Sequence, residues 1–456
     1  MARQEEILSS TASAESTDPV TRLLQRVVEV RPDEVRALLL SCGYFFCILS
    51  AWFIMRPIRE QTGVAGGISN LPWLYTGTLI ATLVVHPPFA AMVARLPRRT
   101  FVTIANRFFL ANILIFFGLF QTLPEAQLVW LGRVFFVWTS VFSLFVTSVF
   151  WSFMVDVFRT DQAKRLFGFI GFGGTLGSVT GAAVTATLAP RIGPVYLFLV
   201  SAVLLELAVQ CVRRLSASTA AARPGAPAGE ALIGGQTLAG IKHVIRSPYL
   251  LNICVYMLLF TIGSTVLYFQ QAQIVVQAYS DRAAQTAFFA RIDLAVNILT
   301  LLTQAFLTGR LIKALGVSVT LALLPALTVI GFLALGSFPI LAVFVVFQVL
   351  RRAGEYAVAR PTREVLYTVL DREDKYKAKH FIDTFVYRGG DQVGAWSMRG
   401  LTALGVGFAG ASYLAAPFAV VWLGIALWLG RRHAVLARVS EAARAPAAPS
   451  GSPRFP

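Results

Sequence analysis

Apolar runs of about 20 residues recur along most of this chain, separated by short polar segments. A bilayer core about 30 Å thick is crossed by a helix of about 20 mostly apolar residues. We count about twelve such runs, six on each side of a polar segment near the middle of the chain. Their approximate bounds are 37–57, 71–94, 101–122, 128–155, 166–189 and 192–212, then 249–275, 285–310, 317–336, 338–359, 379–403 and 408–430. The sequence therefore predicts an all-α, polytopic membrane protein of about 12 transmembrane helices.

The composition agrees with this prediction. Hydrophobic residues make up 56% of the 456 residues and charged residues only 14%, whereas soluble domains are about a quarter charged. The net charge of +17 does not indicate nucleic-acid binding, because the basic residues are grouped in short loops between apolar runs, where they orient a protein in the membrane. We expect the lipid bilayer as a partner and no nucleic acid.

The polar segments divide the chain into five parts. These parts are an N-terminal tail (1–36), a six-helix half (37–212), a linker (213–248), a second six-helix half (249–430) and a C-terminal tail (431–456). The linker begins rich in Ala, Ser, Pro and Gly, as flexible linkers are. It ends in a predicted interfacial helix with Lys242 and Arg246 toward the lipid headgroups.

Lys and Arg residues are concentrated in every second loop between the predicted spans. The alternate loops 121–127, 337–339 and 405–411 contain neither residue. Because short cytoplasmic loops carry the excess of Lys and Arg, we predict that both tails and the linker are cytoplasmic. We predict an integral membrane protein.

Two glycine patterns bear on helix packing. Gly173, Gly177 and Gly181 share one face of the fifth predicted span, and small residues at this spacing let two membrane helices approach closely. The segments Ala163-Lys164-Arg165 and Gly173-Gly174 are echoed about half a chain later by Ala378-Lys379-His380 and Gly389-Gly390. Such an echo is expected if the two halves are parallel repeats of one six-helix plan.

Ionisable residues within the predicted spans are the strongest functional signal. A charge at the centre of a membrane helix costs about 2.5–3.5 kcal/mol on insertion scales, and such residues normally face a partner or a water-filled path. Many of them lie between 351 and 396. The candidate substrate-binding residues are Arg56, Arg59, Glu60, Arg291, Asp293, Arg352, Glu355, Asp383, Arg388 and Asp391.

Helical spacing predicts ion pairs among these residues. Arg56 and Glu60, like Arg351 and Glu355, are four residues apart, and Arg388 and Asp391 are three apart. Arg59, Arg291 and Arg352 have no evident partner on the same helix. Since guanidinium groups bind phosphate or carboxylate through paired hydrogen bonds, we expect a small anionic substrate. We assign residues 363–379 mainly to a cytoplasmic loop and its helix ends.

The sequence lacks the patterns that are typical of enzymes. It has four His and four Cys, with no nucleophile elbow, no phosphate-binding loop, no C-x-x-C pair and no acidic metal cluster. We therefore expect a non-enzyme without catalytic residues, a metal site or a cofactor.

Several motifs are similar to those of one transporter family. They are Arg363-Glu364-Val365-Leu366-Tyr367, Lys375-Tyr376-Lys377-Ala378-Lys379, Ile382-Asp383, Tyr387-Arg388-Gly389-Gly390-Asp391, Phe150-Trp151-Ser152-Phe153, and the cluster of Arg56, Arg59 and Glu60. The chain from 38 to 429 resembles the ATP/ADP translocases of plastids and intracellular bacteria, also called NTP/NDP exchange transporters. This resemblance implies a major facilitator-like fold and transport of nucleotides.

These observations predict an alternating-access transporter that binds a phosphate-bearing anion between its two halves. In this hypothesis the candidate arginines hold phosphates, and the candidate carboxylates pair with the arginines. Exchange of ATP and ADP is the function that the resemblance implies. One alternative is proton-coupled transport of another organic anion or an amphiphile, and a further one is a non-transporting membrane sensor or scaffold.

Overall fold

A computed structural model of the chain describes residues 28–95, 98–222, 247–370, 378–379 and 381–444. Within these ranges the secondary structure is entirely helical. The predicted interfacial helix, most of the linker, and the outer parts of both tails lie outside the described residues.

Six helices coincide with the first six predicted spans. They are α1 (Val35–Ala65), α2 (Leu71–Arg95), α3 (Arg98–Thr122), α4 (Glu125–Val157), α5 (Thr160–Ile192) and α6 (Leu197–Ala222). A short 3₁₀ turn, Ile68–Asn70, connects α1 to α2. The hydrophobic run length therefore located every helix of this part of the chain.

The remaining predicted spans are also helical, but two of them are composite. The simple ones are α7 (Pro248–Ala278), α8 (Arg282–Phe306), α9 (Thr308–Ser337) and α13 (Phe408–Arg444). The tenth span consists of α10 (Leu341–Gly354), a π-helix (Glu355–Ala359), α11 (Arg360–Leu366) and a 3₁₀ turn (Tyr367–Val369). The eleventh consists of a π-helix (Ile382–Val386) followed by α12 (Tyr387–Ala403).

Nine helical segments in the described part of the chain are long and apolar enough to cross a membrane. The stretches outside this group are α6, the composite tenth span and α12. The C-terminal part of α6 carries Glu206, Arg213 and Arg214. The π-helices leave α10 with 14 residues and α12 with 17, fewer than the roughly 20 that a span requires. The prediction of an all-α, polytopic membrane protein is confirmed.

Several helix boundaries differ from their predicted positions, and two of the differences concern the eighth and tenth spans. The eighth span ends at Phe306, and the chain turns directly into α9 with a break at Gly316, where φ is +70°. A residue without Cβ adopts this conformation readily. The tenth span was predicted to end at 359, but the helix continues to Leu366. Residues assigned to a loop therefore lie inside a helix.

The described chain divides into two compact units. The first unit contains residues 28–66, 77–222 and 279–294, and the second contains 67–76, 247–278 and 295–444. Aromatic rings fill the core of the first unit, where Phe45 stacks on Phe150 with ring centroids 4.1 Å apart. In the second unit the buried Tyr256 and Trp422 rings lie 5.3 Å apart.

The glycine face of α5 packs directly against the backbone of α1. A Cβ added at Gly177 would overlap the carbonyl oxygen of Phe46, and one added at Gly181 would overlap that of Ser50. At Gly173 the added atom would lie 3.0 Å from the carbonyl oxygen of Cys42. The predicted close approach through small residues is confirmed, because any larger side chain would separate the two helices.

The repeated glycines make equivalent contacts within each unit. Gly174 lies against the ring of Phe45 on α1, and Gly390 lies against the side chain of Thr261 on α7. Both members of the second contact follow those of the first by 216 residues. The sequence echo therefore corresponds to a repeated helix–helix contact.

Candidate functional site

The C-terminal part of α1 carries three charged residues of the predicted site. Arg59 Nη1 donates to Glu60 Oε1 at 2.7 Å, its Nε donates to Ser140 Oγ at 3.0 Å, and its guanidinium carbon lies 3.7 Å from the centre of the Phe136 ring. The sequence spacing predicted no ion-pair partner for Arg59, because Glu60 is the next residue and adjacent side chains of a helix point in different directions. The long arginine side chain nevertheless reaches Glu60 while it stays packed on α4. The expectation of an unpaired Arg59 is wrong.

Arg56 is held by two carboxylates. Its Nη1 lies 3.4 Å from Asp293 Oδ1 on α8, and its Nε lies 4.0 Å from Glu60 Oε1. The predicted pair with Glu60 is present, and Asp293 supplies a closer partner from another helix. Asp293 is only 3% exposed, so this pair is a buried ion pair on the carboxylate side.

Arg291 does not take part in this cluster. It lies two residues before Asp293 on α8 but is exposed, whereas Asp293 is buried. Successive residues of a helix are about 100° apart, so two positions at this spacing face different directions. The structure therefore brings together Arg56, Arg59, Glu60 and Asp293 in the first unit, with two charges of each sign.

A second charged cluster lies in the second unit at the π-helix of the tenth span. Glu355 Oε1 accepts a hydrogen bond from Arg363 Nη1 at 3.4 Å, and both residues are buried. The predicted partner Arg351 instead donates through Nη2 to Ser264 Oγ at 2.8 Å and to the Phe260 carbonyl at 3.2 Å. The predicted Arg351–Glu355 pair is therefore wrong. Glu355 is the first residue of the π-helix, whose wider turn breaks the regular i,i+4 spacing.

Arg388 and Asp391 form the third predicted pair. Arg388 Nη1 lies 3.8 Å from Asp391 Oδ2, and Thr265 Oγ1 on α7 donates to Asp391 Oδ1 at 3.4 Å. Gly390 and Gly394 allow α12 to contact α7 closely at this level. The glycines therefore bury Asp391 at a helix–helix contact and bring it to its hydrogen-bond donor.

The remaining two predicted residues of this unit differ in exposure. Arg352 is half-buried on α10, whereas Asp383 is exposed on the π-helix at the start of the eleventh span. Asp383 was predicted to lie deep in the membrane region. The structure places it one turn before α12, at the end of the span rather than at its centre.

Arg351 and Arg363 are buried residues that the site prediction omitted. Arg351 was read only as a partner for Glu355, and Arg363 was assigned to a loop. Arg363 lies on α11 because the tenth span continues through the π-helix to Leu366. The signal was the helical spacing of Ala359, Thr362 and Leu366, all of which are buried.

Buried polar atoms of the second cluster lack partners among the described residues. They are Glu355 Oε2, Arg351 Nε, Arg363 Nε and the hydroxyl group of Tyr256. Buried polar groups are normally paired with protein or with ordered water. This cluster therefore has spare hydrogen-bonding capacity for water or for a polar ligand.

Comparison with known proteins finds one similar family and several similar carriers. The family model described as "TLC ATP/ADP transporter" matches residues 236–435. A protein from Chlamydia trachomatis named "ADP,ATP carrier protein 1" is 22% identical over 94% of this chain and 95% of its own length. The protein of the same name from Chlamydia pneumoniae is 21% identical, with 90% of this chain and 93% of its own length covered.

Solved structures of other transporters share the fold. An auto-inhibited POT family peptide transporter superposes with a TM-score of 0.60 at 16% identity, covering 88% of this chain and 97% of its own. The nucleoside transporter NupG gives a TM-score of 0.58 at 11% identity, with 89% and 99% covered. At such low identity the likeness shows the fold alone. The chain is thus a polytopic membrane protein with the helical fold of these transporters. It is similar to the TLC ATP/ADP transporter family over residues 236–435 and to the chlamydial carriers over most of its length.

Proposed function

We propose that this protein exchanges nucleotides of the ATP and ADP type across the membrane by alternating access. The observation that carries the proposal is the match, over 94% of the chain, to carriers named for ADP and ATP. The relatives are bacterial, and we place the protein in the inner membrane of a bacterium with both tails in the cytoplasm. The distribution of Lys and Arg in the loops supports this orientation.

The two charged clusters supply the chemistry that a polyphosphate needs. In the proposal Arg56 and Arg59 of the first unit and Arg388 of the second bind phosphate oxygens. Arg291 is exposed and Arg352 is half-buried, and both add positive charge. The carboxylates Glu60, Asp293, Glu355 and Asp391 pair with arginines and set their orientation. In the proposal the exposed Asp383 adds negative charge near them.

These ion pairs give a physical reason for exchange. Asp293 and Glu60 hold the Arg56 guanidinium when no substrate is bound. An arriving phosphate must compete with these carboxylates, and its departure restores the pairs. A substrate speeds the crossing only if it stabilises the crossing conformation more than the end states. Strict exchange also requires that the empty carrier, in which these arginines stay paired, crosses more slowly than the loaded one.

Vesicles containing the purified protein test the proposal. With ADP inside, we expect labelled ATP outside to enter, and entry should fall to background when the vesicles are empty. The absence of both uptake and counterflow for every nucleotide tested would overturn the nucleotide assignment. Arg388→Ala and Asp391→Ala should each impair transport, and the double variant should be no worse than either, because the residues form one pair. Arg431→Ala, at an exposed position of α13, is the control.

A second candidate function is proton-coupled transport of another organic anion. The specific observation in its favour is Glu355, which is 8% exposed and whose Oε2 has no hydrogen-bond donor among the described residues. Buried carboxylate oxygens are normally hydrogen-bonded, so this candidate function places the transported proton at Glu355 Oε2. An imposed pH gradient should then drive uptake into vesicles that contain no exchange substrate. Uptake independent of that gradient would eliminate this candidate.

A further inference from the structure

A cavity of about 100 Å³ lies in the first unit, and its lining residues do not include Arg56, Arg59, Glu60 or Asp293. Its walls are mainly apolar and include Ile58, Phe120, Leu128, Val129, Val195 and Phe198. These residues come from α1, the end of α3, the start of α4, the turn after α5 and the start of α6. The predicted non-cytoplasmic loop 121–127 lies beside it. The cavity is therefore at the end of the unit that is predicted to face away from the cytoplasm.

One polar donor inside this cavity lacks a partner. Gln61 lines the cavity and is only 4% exposed. Its Nε2 group has no acceptor among the residues that the structure describes. Buried amide groups in proteins are normally hydrogen-bonded, because an unsatisfied donor loses its interaction with water. The cavity is therefore suited to a ligand that presents an acceptor oxygen within an apolar environment.

A positively charged side chain also lines the cavity. Arg282, the first residue of α8, lines the same cavity and is exposed to its surroundings. An apolar wall, one buried amide donor and one exposed guanidinium together match a molecule with a hydrocarbon part, a carbonyl and an anionic group. A nucleotide does not fit these walls, since its base, ribose and phosphates would leave many polar groups unpaired.

We propose that this cavity binds an anionic phospholipid. The first part of one acyl chain occupies the apolar cavity, the ester carbonyl accepts a hydrogen bond from Gln61 Nε2, and the phosphate group pairs with Arg282. A cavity of about 150 Å³ can hold a benzene molecule, so a cavity of about 100 Å³ takes only part of the chain. The rest of the lipid then lies along the outer surface in the bilayer.

The unmodified full-length protein allows a test that does not depend on the folding of a variant. The probe is a phosphatidylglycerol that carries a photoreactive diazirine in the upper part of one acyl chain. After illumination in lipid nanodiscs, we expect labelled peptides that contain Phe120, Leu128 or Val129. Excess unlabelled phosphatidylglycerol should suppress this labelling. Labels confined to other surfaces would overturn the proposal.

Variants then test each part of the lipid by native mass spectrometry. The probes are phosphatidylglycerol and phosphatidylcholine added to the purified protein. Val129→Trp should fill the cavity and reduce retention of both lipids. Val134→Trp is the matched control because Val134 is 58% exposed on the same helix. Equal retention by these two variants would show that the chain lies elsewhere.

Substitutions of Gln61 and Arg282 test the two proposed polar contacts of the lipid separately. Gln61→Leu should weaken retention of both lipids about threefold to tenfold, which corresponds to one hydrogen bond. Arg282→Gln should remove the preference for phosphatidylglycerol over phosphatidylcholine, which we expect to be about fivefold at most for an exposed charge. An unchanged preference would overturn the assignment of the phosphate to Arg282. Unchanged lipid retention in Gln61→Leu would contradict the proposed hydrogen bond from Gln61 to the ester carbonyl.

Discussion

Arg56 Nη1 lies 3.4 Å from Asp293 Oδ1, so that two side chains 237 residues apart in sequence join α1 to α8. Asp293 is buried, while the guanidinium retains some contact with solvent. This ion pair connects the predicted site residues of α1 with the predicted site residue of α8 inside one compact unit. The loss of either partner therefore affects both the stability of the unit and the charge that a substrate meets.

Asp293→Asn should destabilise the protein. The substitution leaves Arg56 with Glu60 as its more distant carboxylate, and breaking a buried ion pair costs about 3–5 kcal/mol. We expect a value near the lower limit because Arg56 is partly exposed. Thermal unfolding of the purified protein measures the effect. Asp33→Asn, at an exposed position before α1, is the control, and equal unfolding temperatures for both variants would contradict the pairing.

Arg363→Ala should be more damaging than Arg360→Ala, although the two residues are three positions apart. Arg363 is buried and pairs with Glu355, whereas Arg360 is exposed. Removing Arg363 leaves Glu355 as an uncompensated buried charge, at a cost of about 3–5 kcal/mol. Removing an exposed arginine should change stability by about 0.5 kcal/mol or less. The yield of folded protein and its thermal unfolding temperature compare the two. Similar values for the two variants would contradict the burial of Arg363 and its pairing with Glu355.

Gly177→Ala should destabilise the packing of α5 on α1. The new methyl group would overlap the carbonyl oxygen of Phe46, and overpacking of this kind costs about 1–3 kcal/mol. Gly168→Ala on the same helix meets no atom within 4 Å. Because alanine is favoured over glycine in a helix, this control should stabilise the protein by about 0.5–1 kcal/mol. Thermal unfolding should therefore shift in opposite directions, and a shared direction would refute the close contact.

Glu34 should make stability depend on pH below the neutral range. Burial alone would raise the pKa of Glu34, but hydrogen bonds from Arg165, the Arg31 amide and Gln162 outweigh it and hold the pKa below its ordinary value of 4.5. A group with a lowered folded-state pKa stabilises the protein at pH values above its unfolded-state pKa. This contribution is lost as the pH falls through the lowered folded-state pKa.

A Glu34→Gln variant isolates that contribution. At pH 7 it should be about 1–3 kcal/mol less stable than the unmodified protein, since it loses charge-assisted hydrogen bonds. The difference should shrink as the pH is lowered below about 4.5. Thermal unfolding between pH 7 and pH 3.5 measures it, with Glu125→Gln at an exposed position as the control. A difference that does not vary with pH would show that the Glu34 charge is not the cause.

The sequence predicted the helices better than it predicted the contacts between them. Run length located each span because the bilayer imposes one length on every apolar helix. Spacing along one helix also identified the pair of Arg388 and Asp391. The pair of Arg56 and Asp293 could not be found in this way, since it depends on the packing of two helices that are distant in sequence.

The errors at the tenth span have a local cause. A regular α-helix places residues 351 and 355 on one face, but the π-helix begins at Glu355 and changes that register. Because of the same irregular turn, the sequence did not predict that the helix continues to Leu366. Arg363 lies in this continued helix and is therefore buried. Hydrophobic pattern and charge alone do not distinguish such a helix from a loop.

The matching contacts of Gly174 with Phe45 and of Gly390 with Thr261 bear on the origin of this chain. Duplication of a six-helix ancestor and fusion of the copies would leave a contact repeated at a constant offset of 216 residues. The charged residues do not repeat in this way: the positions 216 residues after Arg56 and Arg59 are Ala272 and Val275. A duplication would therefore have preserved this helix packing while the charged residues of the two copies diverged.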